Sequence, residues 1–118
     1  MVELLDKEFG GKGKQVIWRG KKLGYLIPEK FGYTFVALKK KEHFFRQYLG
    51  YALNKQMLEY FKQIGVKKII LKVRGKKNTE IYTSTIDKWF NYGITYRHPN
   101  YEPQLVLPIK YMEAHVIK

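Results

Sequence analysis

Seven residues, Lys68-Ile69-Ile70-Leu71-Lys72-Val73-Arg74, restrict the fold more than any others in the chain. Side chains alternate across a β-strand, so Ile69, Leu71 and Val73 fall on one side and Lys68, Lys72 and Arg74 on the other. Such a strand needs a core against its apolar side. On its basic side, three cations repel one another unless a polyanion or nearby acids lie against them, and in sequence only Glu80 is close. Lys67, Lys76 and Lys77 extend the stripe, which marks a phosphate-contacting face or, alternatively, a solvated edge strand guarded by its lysines.

The segments around it give short strands and few helices. Lys14 to Arg19, Leu23 to Ile27 and Phe31 to Lys39 are rich in β-branched and aromatic residues and are separated by Gly20 and Pro28. The first two read as a hairpin, with Val16 and Trp18 on one face and Gln15, Ile17 and Arg19 on the other; a turn centred on Gly20 and Lys21 brings Tyr25 within cross-strand reach of Trp18. From Lys40 to Ile64 the chain reads helical in two pieces broken near Gly50. Phe45, Tyr48, Leu49 and Ala52 make one stripe, and Leu53, Met57, Tyr60, Phe61 and Ile64 make a second. Asn54 is the expected N-cap of the second helix and Gly65 its C-terminal stop. After a turn at Gly75-Lys76-Lys77-Asn78, Glu80 to Thr83 pairs antiparallel with the basic strand, and Ser84 or Thr85 caps a brief helix ending at Gly93. Ile94 to Arg97 and Gln104 to Leu107, fenced by Pro99, Pro103 and Pro108, read as edge strands. The expectation is one α+β domain over residues 1–118, order β-β-β-α-α-β-β-α-β-β, with a mixed or antiparallel sheet, two to three helices and a flexible basic segment at 1–13.

Charge then narrows the function. Twenty-three Lys and Arg against ten Asp and Glu give +13, and residues 1–80 hold +12 of it. That balance is unlike an enzyme of small metabolites and suits a partner made of phosphates. Aromatic residues at 16% separate the chain from disordered basic tails. The absence of cysteine removes disulfides, thiolate zinc sites and thiol nucleophiles. No apolar run is long enough for a membrane span and the start lacks a signal-peptide pattern, so the expectation is a cytoplasmic protein with no membrane partner. Lys12, Lys14, Trp18, Arg19, Lys21, Lys22 and Tyr25 interleave cations with rings on adjacent strands, the pattern that lets bases stack while lysines follow phosphates. With Lys68, Lys72, Arg74, Lys76 and Lys77 they form the expected nucleic-acid-binding set. Its partner is expected to be a flexible single strand, of DNA or RNA, bound without sequence preference and without a cofactor. A helix-turn-helix reading around Gly50 fails, because Arg46 stands where a small residue is needed and Gln56 and Glu59 where buried apolar ones are.

Chemistry has less support in the residues. His43, His98 and His115 have no metal-ligand spacing, so no metal site is expected, Ser84 is the chain's single serine, and Gly10-Gly11-Lys12-Gly13 leads into a strand rather than a phosphate-loop helix. The order of three strands, a helix and a strand over residues 14 to 74 resembles the core of the restriction-endonuclease-like nucleases, with Pro28-Glu29 and Ala37-Leu38-Lys39 nearest to that family's metal-binding motif. The resemblance implies a divalent-metal-dependent nuclease using Glu29, Lys39 and Glu42, or an inactive relative that only binds. Ala37 stands where the second carboxylate belongs, which removes half of the metal's ligands. A third class, a basic assembly protein docking on an acidic protein or a ribonucleoprotein, uses the same charge.

Overall fold

The computed structural model describes residues 2–7, 13–40 and 50–117. It is an α+β domain. Two sheets are present: β1 (Val2–Lys7), β2 (Gly13–Trp18), β3 (Lys21–Glu29), β4 (Gly32–Lys40), β6 (Val66–Arg74), β7 (Thr79–Thr85) and β10 (Glu113–Ile117) lie side by side in the larger, and β5 (Gly50–Asn54), β9 (Tyr101–Pro108) and β8 (Ile94–His98) in the smaller. The α-helices among the described residues are α1 (Lys55–Ile64) and α2 (Ile86–Tyr92).

All neighbours in the larger sheet are antiparallel except β4 and β6, which run parallel. The parallel pair needs a crossover, and β5 and α1 lie within it. The basic strand is therefore interior, paired to β4 on one side and β7 on the other. The edge-strand explanation of its lysines is thereby corrected: those cations have no edge to guard. Their alternation is as the sequence implies, with Ile69, Leu71 and Val73 fully buried and Lys68 and Arg74 exposed.

The hairpin closes through Arg19 and Gly20, both at positive φ (50° and 77°), as a two-residue turn of the type whose twist matches that of its strands. The turn is thus one residue earlier than expected, and Trp18 pairs with Lys21. Tyr25 pairs with Gln15 and belongs to the face opposite Trp18, so the expected Trp18 and Tyr25 neighbourhood does not form. The segment at 1–13, expected to be flexible, is a paired strand over Val2–Lys7; Lys12 lies outside the described residues.

The expected first helix is corrected at its end. Gly50–Asn54 is a strand whose first four residues are all buried, and the remainder of that helix lies outside the described residues. Asn54 does cap α1, its Oδ1 accepting from Met57 N at 3.0 Å, and Gly65 ends it in the left-handed region with its N–H on the Phe61 carbonyl. Thr85 is the N-cap of α2 without a side-chain bond; Ser84 instead accepts from the Trp89 indole at 2.8 Å. Gln104 to Leu107, expected at an edge, is central in the smaller sheet. Its proline is tolerated because β5 pairs only with Gln104–Pro108, leaving Pro103 beyond its reach.

The smaller sheet and both helices close a core on one face of the larger sheet. Val16, Leu26, Phe35, Ile69, Leu71 and Val73 meet Tyr51, Leu53, Met57, Phe61, Trp89, Leu105 and Leu107 there. The alternate residues, Thr34, Val36 and Leu38 on β4 and Lys68, Ile70, Lys72 and Arg74 on β6, belong to the opposite, outer face, and none joins that cluster. No helix among the described residues is long and apolar enough to cross a membrane.

Candidate nucleic-acid interface

Strand direction decides where the cations meet. Because β3 is antiparallel to β4 and β4 is parallel to β6, the start of β3 and the end of β6 lie at the same end of the sheet. The hairpin tip therefore brings Arg19, Lys21 and Lys22 to the end where the β6–β7 turn carries Arg74, Lys76 and Lys77, all six exposed. Strands β3 and β6 are two spacings apart, about 10 Å. Two basic patches more than 50 residues apart in sequence thus become one cationic end. Its acids are few: among the described residues, Arg19 pairs with Glu102, and no carboxylate lies within ion-pair distance of Lys21, Lys22, Lys68, Lys72, Arg74, Lys76 or Lys77.

From that end the outer-face row runs down β6 through Lys72 to Lys68, about 20 Å from Arg74. Tyr25 is on the same face, two strands away and half-buried. Lys14 shares its face with Val16 and Trp18 rather than with Tyr25, so it does not join the row.

Trp18 is not a free stacking platform. Its ring packs against the core, and its Nε1 donates to Glu102 Oε2 at 3.0 Å, which ties the hairpin to the smaller sheet. Glu102 owes its position to a β-bulge: between the pairs Tyr96–Gln104 and His98–Tyr101, β8 has one residue and β9 has two, Glu102 and Pro103. Such a bulge re-aims side chains. Asn54 Nδ2 also donates to Glu102 Oε2, at 2.6 Å, and Arg19 pairs with Oε1. Burial alone would raise this carboxyl's pKa, but the bonds from Asn54 and Trp18 and the Arg19 charge outweigh it and hold the group below the usual carboxylate range.

Beside Glu102 is a cavity of about 290 Å³ lined by Tyr96, Tyr101, Glu102 and Gln104. Tyr101 is 69% exposed and Tyr96 36%. The sequence reading missed these two rings, although Tyr96-Arg97-His98-Pro99-Asn100-Tyr101 carries a signal: rings and cations alternating about a proline turn.

Of the residues of the nuclease reading, Glu29 and Lys39 are not brought together. Glu29 closes the β3–β4 turn opposite Gly32 and accepts from Thr34 Oγ1 at 3.0 Å, whereas Lys39 is near the far end of β4, about 23 Å along the strand. Ala37 is buried on the core face, and Glu42 lies outside the described residues. No group of three or more His, Cys, Asp or Glu that could hold a metal exists among the described residues. Lys39 is instead a buried amine donating to the Ala52 carbonyl at 2.9 Å; burial, and secondarily the Lys21 charge, lower its pKa to about 8.

Comparison with protein families, with curated proteins and with solved structures finds no match to this chain, so geometry and charge carry the functional argument.

Proposed function

We propose that the protein binds nucleic acid without sequence preference, favouring a flexible single strand, at the cationic end of the larger sheet and along the row Lys68, Lys72 and Arg74. The observation that supports this is the convergence of the hairpin tip and the β6–β7 turn, six exposed cations with a single ion pair to a carboxylate among the described residues. A folded chain keeps such a repulsive end when an external polyanion is there to neutralise it. Tyr25, on the same face as the row, and Tyr96 and Tyr101, in the cavity lined by Arg19's partner Glu102, favour unstacked bases over a closed duplex.

The test is a salt titration of affinity for a mixed-sequence single-stranded oligonucleotide. The log-log slope should be about 0.7 per phosphate neutralised, and the combined variant Lys21→Gln, Lys22→Gln, Lys76→Gln, Lys77→Gln should flatten it. An affinity indifferent to salt sinks the reading, and tighter binding to an acidic protein than to any nucleic acid replaces it with the assembly role. With Mg²⁺ or Mn²⁺ present, DNA and RNA should stay uncut, since Glu29 and Lys39 do not share a site.

A further inference from the structure

The larger sheet has a second basic end, where β3 turns into β4. Phe31 in that turn is 72% exposed, and its neighbour Lys30 holds its ammonium 5.7 Å from the ring centroid. A lone exposed phenylalanine is ordinary on a surface, but this one is fixed in place among cations. Gly32, at φ 96°, has no room for a side chain, because a Cβ there would collide with the Gly65 carbonyl oxygen. That oxygen accepts from Tyr33 N at 3.1 Å, which pins the turn against the start of β6. The close approach also sets the Lys67 stem, Cγ, 3.6 Å from the Gly32 Cβ position. Lys67 is the extra residue of a bulge, since β6 advances from Val66 to Lys68 while β4 advances only from Tyr33 to Thr34. Lys30, Lys67 and Lys68 are all exposed, and among the described residues no carboxylate lies within ion-pair distance of them and no other ring lies against Phe31. Lys68 ends the outer-face row here, level with Thr34 and about 10 Å from the turn. Arg74 and Phe31 are thus about 30 Å apart, with Tyr25, level with Ile70, near the middle of the path.

We propose that Phe31 is the stacking platform for one base of a bound single strand, with Lys30, Lys67 and Lys68 on the flanking phosphates, and that the strand runs the length of the larger sheet from the cationic end to this turn. This rests on the nucleic-acid reading and extends it: the cationic end gathers phosphates, and the far turn fixes a base. Lys30 lies over one side of the ring and leaves the other for the base. Two poles engaged by one strand act as linked sites, so affinity should grow with strand length until both are reached. A span of about 30 Å takes about six nucleotides of extended strand, within the range of about 4–16 that single-strand-binding folds hold.

Fluorescence anisotropy with end-labelled oligo-dT of about two to ten nucleotides, and with the matching oligo-rU, tests the span. Affinity should climb steeply to about six nucleotides and then level off. Phe31→Ala should weaken binding of the longest strand about 10-fold and keep the salt slope, since no charge is lost. For a three-nucleotide strand, which the six cations of the other end can hold alone, the same substitution should change affinity by less than about 2-fold. Phe31→Tyr should bind like wild type and Phe31→Leu like Phe31→Ala, which separates stacking from apolar contact; at so exposed a position all three variants should fold. Lys30→Gln and Lys67→Gln should each lower the salt slope for the longest strand by about 0.7. Affinity independent of length, or Phe31→Ala binding the longest strand as wild type does, would overturn the proposal. Where salt-dependent binding persists beside either result, the cationic end stands and the far turn alone falls; where no strand binds with a salt slope, both readings fall together. The same threshold and the same Phe31→Ala loss in both series assign the site to single strands of either backbone, and a loss confined to one series assigns it to that backbone.

Discussion

Trp89 is fully buried and gives its indole proton to a neutral hydroxyl, Ser84 Oγ, whereas Trp18 is half-exposed and gives its proton to a carboxylate that also serves Asn54 and Arg19. Both residues join layers of the molecule, α2 to the larger sheet in one case and the hairpin to the smaller sheet in the other. At Trp89 every polar group is used up inside the core, so the junction can contribute stability and little else. At Trp18 the junction is charged and draws a carboxylate largely out of water, which costs stability that its partners Trp18, Asn54 and Arg19 must offset. The difference separates the scaffold from the candidate site within a single residue type.

The largest effect should come from breaking the buried junction. Trp89→Ala should destabilise the fold by about 3–5 kcal/mol, through lost burial plus the cavity left behind, measured by urea unfolding. Trp18→Ala should cost no more than about half of that, because its ring is only partly withdrawn from water. Equal losses would place Trp18 in the core proper and erase the contrast.

A second charged group inside the molecule sharpens the comparison. Lys39 has a folded pKa near 8 against 10.5 for a free lysine, so the unfolded chain holds more protons between those values and stability rises with pH across them. From neutrality to about pH 10 the gain should be about 2 kcal/mol, and Lys39→Met should abolish it. Above pH 10 the tyrosines oppose the trend. Burial, with the bond to Glu80, raises Tyr82 to about 12, and burial raises Tyr51 further, so there the unfolded chain ionises first and stability falls. A flat profile from pH 7 to 10 would mean that Lys39 is solvated.

Where the sequence was legible, one local signal decided the outcome. The alternation of Lys68 to Arg74 is a period of two sustained for seven residues, and the Asn54 cap and the Gly65 stop are set by chemistry within four residues of each. Gly50, Tyr51, Ala52 and Leu53 are all buried, so no periodicity distinguished strand from helix there. The central position of β9 depends on how far β5 extends along it, which Pro103 itself does not reveal. The site divides the same way. Composition exposed the cations, but their meeting at one end follows from the parallel pairing of β4 and β6, and Glu102 enters through a bulge; both are set by distant residues.

The smallest effect should come from Glu102→Gln, which keeps a carbonyl oxygen for the Trp18 and Asn54 donors but removes the charge opposite Arg19. The Arg19 side chain is 65% exposed, so the ion pair is screened and its loss should cost at most about 1 kcal/mol at neutral pH. Because the folded pKa of Glu102 lies below its unfolded value, its contribution is present above the ordinary carboxylate range and is lost as pH falls through the folded value. The stability gap between wild type and Glu102→Gln should therefore close in acid, an outcome that urea midpoints at neutral pH and well below pH 4 would resolve. A gap unchanged by acid would mean that the Trp18 junction depends on the shape of residue 102 and not on its charge, making it as neutral a junction as the one at Trp89.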